Sequence, residues 1–373
     1  MLRGRLFAVM RKEFIHIIRD PRSLSLIFFW PVIMVLLYGT AITFDIKEIR
    51  IVVLDSDHSS ASRELLRDLT ASNYFKTTAI LRKRSEIDAG FLENRFKAVL
   101  VMPAGFAKDK ARNAGRIQLV VDASNSNTAT VVIQYMKTFC MLHQLENSVT
   151  VSAPVALLPR VWYNPDLKSS HFIVPGLIAV ILMMICAQLT SITLAREWET
   201  GTFEQILVSP ILPHEIILGK LAPYLLLSLT VSVVTLAFSV AVFKVPFRGS
   251  LLLLLILSLI YIYASLSIGV LISTRARTQQ VALLASQILT LLPSFLLSGF
   301  IFPVLYMPLF LKAVTYLVPA RYYLVIIRGI MLKGIGPRDL AQPCLLLVLF
   351  GTLLIVLSIH RFKSVLEKAP WAE

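Results

Sequence analysis

Residues 171–195, HFIVPGLIAVILMMICAQLTSITLA, run for 25 positions without an Asp, Glu, Lys or Arg. An uncharged apolar run of that length is what a helix needs to cross the hydrocarbon core of a bilayer. Working outward, five more apolar runs occupy residues 23–44, 216–243, 250–272, 281–297 and 344–359. The first of them would extend roughly 33 Å as a helix. The whole chain of 373 residues is 56% apolar and 16% charged, with a mean hydropathy of +0.74. Soluble domains carry about 25% charge, so an ordinary soluble enzyme is excluded. One segment breaks the pattern: residues 45–168 hold 30 charged residues in 124, against 29 in the other 249. The expected fold is a polytopic α-helical membrane protein with six transmembrane helices and an α/β domain inserted between helices 1 and 2.

The same runs set the domain order. Residues 1–22 form an amphipathic interfacial helix: Leu6, Phe7, Met10, Phe14, Ile17 and Ile18 recur at helical spacing among Arg3, Arg5, Arg11, Lys12 and Arg19. Residues 23–44 are transmembrane helix 1, too long for the apolar core of a signal peptide. Residues 45–170 are the α/β insert, in which strand-like runs such as IRIVVL (49–54) and AVLVM (98–102) alternate with helical ones. A long helix over 128–151 closes the insert, and Pro154 and Pro159 break the chain beyond it. Residues 171–373 hold helices 2–6. Within them 299–335 is apolar but cut by Pro303, Pro308 and Pro319, which predicts a re-entrant segment sheltered by protein. Lys and Arg cluster before the first span and in the connections after spans two and four, so both termini are expected in the cytoplasm and the insert outside.

The net charge of +15 does not signal nucleic acid, because the bases form no single run interleaved with aromatics. Many of them lie beside apolar runs, where they meet lipid headgroups. Cys140, Cys186 and Cys344 are far apart, and neither a disulfide framework nor a metal pair can be read from them. No G-x-x-x-x-G-K-[ST] loop is present to cradle ATP phosphates. Asp55-Ser56-Asp57-His58-Ser59-Ser60 lacks the frame of a nucleophile elbow and reads as a strand-to-helix turn with a capping serine. Charges embedded in the spans are scarce, which argues against ion-coupled transport, and Lys220, near a span end, is expected to snorkel to water.

The stretch after residue 195 is more specific. Residues 196–210, REWETGTFEQILVSP, form a short acidic connection with Trp198, Phe203, Ile206 and Leu207 available to pack. Directly following a span, it can act on that span as a stiff lever. The run R-E-x-E-x-G-T-x-E-x-[IL]-L-V-x-P resembles the signature of ABC-2 type transporter permeases, of the exporter branch with a large external domain. LSGFIFP at 297–303, Met307-Pro308, and Pro319-Ala320-Arg321-Tyr322-Tyr323 through Arg328-Gly329-Ile330 agree with it. Trp198 and Ile206 depart from the residues more usual in that signature.

The resemblance covers essentially the whole chain and implies a permease subunit of an ATP-binding cassette exporter in the cell (inner) membrane. It further implies a separate ATP-binding cassette ATPase subunit, a second permease subunit (identical or homologous), and a periplasmic membrane-fusion adaptor at the external domain. No cofactor is expected in this chain, ATP being bound by the partner. The segment at 196–210 would be the coupling helix. Glu197, Glu199 and Glu204 would face basic groups of the ATPase, Gly201 would allow a tight turn, and Thr202 would cap the next helical turn. The rival reading is a permease-like subunit of a non-transporting signalling or assembly complex. An intramembrane enzyme would need convergent polar groups that the sequence does not show.

Overall fold

The computed structural model describes residues 2–41, 49–72, 74–81, 83–84, 86–92, 96, 98–112, 115–122, 126–147, 168–209 and 211–367. The chain divides into two compact units, residues 1–43 with 161–373, and residues 44–160. In chain order, α1 (Leu2–Ile18) and α2 (Pro21–Ala41) come first. The second unit contains β1 (Ile49–Asp55), α3 (Ser60–Ala71), β2 (Phe75–Ile80), α4 (Glu86–Leu92), β3 (Ala98–Met102), α5 (Phe106–Ala111), β4 (Gln118–Val121) and α6 (Ser126–Asn147). The first unit resumes with α7 (Ser169–Glu199), α8 (Phe203–Leu207), α9 (Pro213–Phe243), α10 (Leu251–Ser273) and α11 (Gln279–Leu297). It ends with α12 (Leu309–Thr315), α13 (Pro319–Arg328), a π-helical turn at Gly329–Lys333 and α14 (Ala341–Glu367).

Six of these helices, α2, α7, α9, α10, α11 and α14, are long and apolar enough to cross a membrane. They coincide with the six apolar runs of the sequence. A helix that is hydrophobic all round must be buried or face lipid, and the bundle uses both solutions. The apolar window of α7 is 89% buried, whereas that of α2 is 17% buried. So α7 is the axis of the bundle and α2 lies at its periphery. Pro21, which stops α1, is also the first residue of α2, a position where its missing N–H costs nothing.

Helix α1 turns one stripe inward, with Leu6, Val9, Met10 and Ile17 partly covered and Glu13 fully buried. Phe7, Phe14 and Ile18 point away and are exposed, as an interfacial helix requires. Gly219 of α9 makes the contact with α1 close: a Cβ there would stand 2.8 Å from Val9 Cγ1.

Small residues set the spacing around α7, as expected where lipid gives no hydrophobic drive for helices to associate. Ser286, Thr290, Ser294 and Ser298 recur every fourth residue on one face of α11 and its C-cap, and all are buried. Thr190 donates to the Leu266 carbonyl of α10 (2.7 Å), and the Ser273 hydroxyl accepts the Leu194 N–H (2.8 Å). Beyond α11, the proline-cut segment folds as two helical pieces, Leu309–Thr315 and Pro319–Lys333, bent by 77°. The α9–α10 connection packs on the π turn, with the Arg248 N–H on the Met331 carbonyl (3.0 Å).

The second unit is a four-stranded sheet in the order β2-β1-β3-β4, with β1 parallel to β2 and β3, and β4 antiparallel to β3. Alternation along β1 explains the IRIVVL run. Ile49, Ile51 and Val53 join the core with Leu65, Leu69, Phe106 and Val132. Val52 and Leu54 join Ile87, Phe96 and Val99 in a second cluster. The serine-rich stretch after β1 is indeed a cap: the Ser59 hydroxyl accepts the Ser62 N–H, and Asp55 accepts from the Ser62 hydroxyl (2.7 Å) and the Asp57 and His58 N–H groups. Asp57 accepts the Gly105 and Ala107 N–H groups. The Ser59 hydroxyl and those backbone donors hold its carboxyl below the ordinary range. The expected breaks at Pro154 and Pro159 lie outside the described residues.

The α7–α10 contact makes a sharp test. A Cβ at Gly269 would stand 2.1 Å from the Ala187 carbonyl oxygen. Overpacking of this kind costs about 1–3 kcal/mol, so Gly269→Ala should lower the thermal unfolding midpoint of the purified chain. Gly336→Ala, at a glycine with nothing within 4 Å of its Cβ position, should leave it unchanged.

A buried charge cluster behind the turn after α7

At the C-terminal end of α7 the chain reverses through Thr200 and Gly201. The Thr200 N–H bonds to the Arg196 carbonyl (2.9 Å) and the Gly201 N–H to the Trp198 carbonyl (3.3 Å). Gly201 has φ +74° with nothing near its Cβ position. The need for glycine there is conformational and not steric. The expected tight turn is therefore present.

The turn lays Phe203 of α8 back on the bundle. Its ring stacks on Trp198 with centroids 3.7 Å apart, and meets Phe362 of α14 edge-on at 6.0 Å. The Arg277 guanidinium lies 3.9 Å over the Trp198 ring. Phe203, 2% exposed, thus pins α8 to both α7 and α14. Trp198, unusual for the signature, serves this stack.

One turn earlier on α7, Glu197 points inward. Its Oε1 accepts from Lys12 of α1 (2.9 Å) and from Lys220 of α9 (3.0 Å), and its Oε2 accepts from the Thr202 hydroxyl. Lys220 also donates to Glu13 of α1 (2.5 Å). The Lys220 and Glu13 side chains are 6% and 5% exposed, and that of Glu197 is 10% exposed. Two acids and two bases drawn from α1, α7 and α9 therefore neutralise one another, and only Lys12 reaches solvent. Buried charges persist when paired and hydrogen-bonded in this way.

These contacts correct several expectations. Lys220 does not snorkel: α1 covers this part of α9 and supplies Glu13, so the ammonium has a closer partner than water. Thr202 does not cap α8 with its hydroxyl, which goes to Glu197; its carbonyl accepts the Gln205 N–H instead. Glu197 is engaged within the chain. Glu199 is exposed, but its Oε2 accepts the Gln279 N–H (2.9 Å) and side-chain amide (3.0 Å) at the start of α11, where a negative charge suits the helix N-terminus. Glu204 is exposed and has no side-chain partner among the described residues. With Gly201, Gln205 and Val208, itself 86% exposed, it forms the outward face of the turn and α8.

Lys12, Glu13, Gln279 and Phe362 were missed by sequence reasoning. A signal existed for Glu13, an acid on the apolar stripe of α1, since an acid in that position requires a partner.

Glu197 accepts from two ammonium groups and a hydroxyl, and a hydrogen bond to a charged group contributes about 1.5–3 kcal/mol. Glu197→Gln should therefore lower the thermal stability of the purified chain markedly, while Glu204→Gln should leave it within about 0.5 kcal/mol of the parent. Equal effects of the two would contradict the inward assignment of Glu197.

Comparison with known proteins agrees with the geometry. Residues 21–360 match the ABC-2 family transporter protein family. The chain is 34% identical over 373 residues to the probable multidrug ABC transporter permease YbhS of Escherichia coli K12, covering 97% of this chain and 98% of that protein. It is 32% identical over 333 residues to the probable multidrug permease YbhR of the same organism (88% and 90% covered). The inner membrane transport permease YhhJ, also of that organism, is 29% identical over 366 residues (95% of each). A multi-span bundle whose central helix ends in a tied-back turn, matched by such relatives along nearly its whole length, belongs to the ABC-2 family of transporter permeases.

Proposed function

We propose that this permease forms one half of the pathway of an ATP-driven exporter and is moved by a separate ATPase subunit docking at residues 196–210. The observation that carries this reading is the split between the two sides of the coupling turn. The outward side offers Glu204, Gln205 and Val208. The inward side is bound to four helices: to α7 and α14 through Phe203, and to α1 and α9 through Glu197. A push on α8 therefore moves those helices together, with little chance of bending the turn alone. ATP would be bound and hydrolysed by the partner, and no cofactor is assigned to this chain.

In this reading both termini and the coupling turn lie in the cytoplasm of a cell with an inner membrane, and the unit at residues 44–160 lies outside. The bias of Lys and Arg supports that orientation, and the name of the relative YhhJ supports the inner membrane. A second permease chain would complete the pathway. The exposed apolar residues of α2 (Leu26, Phe29, Ile33) and α11 (Leu284, Ile288, Leu292) leave surface for it and for lipid. The names of two relatives, each a probable multidrug permease, favour drug-like cargo. A membrane-fusion adaptor at the external unit rests on family likeness alone.

Because Glu199 and Glu197 serve the fold, Glu204 is the acid left to meet a basic ATPase surface. A desolvated charge pair at an interface contributes about 2–5 kcal/mol, so Glu204→Lys should weaken docking by roughly 30-fold or more. Val208→Asp should act in the same direction. Lys108→Glu, exposed in the other unit, should not. The measurement is co-purification of the ATPase with each folded variant. Full recovery with Glu204→Lys and Val208→Asp would rule out this face as the docking site.

A further inference from the structure

Arg328, the last residue of α13, has no counter-ion among the described residues. Its guanidinium lies 3.7 Å over the Phe172 ring. Nη1 donates to the Gly299 carbonyl (3.4 Å) and Nη2 to the Phe172 carbonyl (3.3 Å), both long contacts to neutral acceptors. Its Nε is buried with no hydrogen-bond partner, and no Asp or Glu among the described residues pairs with it. The space is kept open: a Cβ at Gly176 would stand 3.0 Å from Nη2 and 2.3 Å from the Phe300 ring. Phe172 is 46% exposed, so the site has an open edge.

The sequence around it is mostly basic. From residue 299 to 340 the chain carries Lys312, Arg321, Arg328, Lys333 and Arg338 against Asp339 alone. Phe172 and Glu197 lie 25 residues apart on α7, or about 37 Å along the helix. Arg328 therefore belongs to the end of the bundle away from the coupling turn. A partly desolvated cation requires an anion, and the planar guanidinium fork suits a phosphate or carboxylate. Ile301 and Phe302, just after Gly299 and exposed, offer apolar surface beside such a group.

We propose that Arg328, with Phe172 as its platform, holds the phosphate-type oxyanion of an amphiphile at this end of the bundle. The oxyanion can come from an anionic phospholipid of the surrounding leaflet or from an anionic amphiphile in transit. The site goes beyond the docking of an ATPase and does not depend on it, so the two readings fail separately.

The test uses the full chain purified in neutral detergent and offered equimolar phosphatidylglycerol and phosphatidylcholine, with retained lipid read by native mass spectrometry. The parent should retain phosphatidylglycerol in preference by roughly tenfold, the scale of one charge-assisted hydrogen-bonded group. Arg328→Gln should lose the preference. Arg328→Lys, which keeps the charge without the fork, should fall between. Arg321→Gln, whose guanidinium instead bonds Thr315 and lies over Tyr316, should keep it. Decyl phosphate is then added below its micellar concentration. Displacement of phosphatidylglycerol supports a site open to free amphiphiles; retention, with the preference still lost in Arg328→Gln, supports the lipid as the source. No preference in the parent, or an undiminished one in Arg328→Gln, overturns the proposal. Should Arg328→Gln fail to fold, the parent and Arg328→Lys decide: equal preference in the two would overturn it.

Discussion

The arrangement of this permease depends on one desolvated charge cluster. Lys220 sits between Glu13 and Glu197, and Glu197 is in turn held by Lys12 and Thr202. None of these helices needs the others for its own hydrogen bonds. What joins α1, α7 and α9 at this end is that each carries a charge the interior would not tolerate alone. Gly219 lets α1 approach closely enough for the pairing to form. The aromatic stack of Trp198, Phe203 and Phe362 then adds α14 and α8 to the same body.

From that end, α7 runs through the middle of the bundle. It is almost wholly buried, and its neighbours are set by small residues, not by bulk. Gly269 meets the Ala187 carbonyl, and Ser286, Thr290 and Ser294 line the face of α11. Close, hydrogen-bonded helix contacts of this kind transmit a shift without compressing, because packed interiors yield little. At the far end the helix reaches Phe172 and Arg328, so the two polar stations of the permease lie on one rod.

Hydropathy and periodicity carried the architecture. Five of the six spans appear as uncharged runs, and the remaining run carries Lys220 alone, because lipid tolerates little else. AVLVM at 98–102 forms β3, buried on both faces, and Pro303, Pro308 and Pro319 marked the bent segment. The site was only half legible. Gly201 announced its turn, but the role of Glu197 was hidden. Its partners Lys12 and Lys220 lie 185 and 23 residues away, and Glu13 lies 207 residues from Lys220. No local pattern encodes such pairings. Lys220 looked like a residue that escapes to water because the sequence does not reveal that α1 covers it. Thr202 looked like a cap because its spacing allows one, yet a buried carboxylate is a stronger acceptor for its hydroxyl.

The most direct test of the account is a double-mutant cycle across Lys220 and Glu13, read by thermal unfolding of the purified permease. Lys220→Met leaves Glu13 buried and unpaired, and Glu13→Gln withdraws one of the two carboxylates facing Lys220. If the cluster is the bond between α1 and α9, the double variant should be more stable than the sum of the single losses by about 1–3 kcal/mol. Strict additivity would mean that the two side chains do not depend on each other, and would contradict the central role given to this cluster.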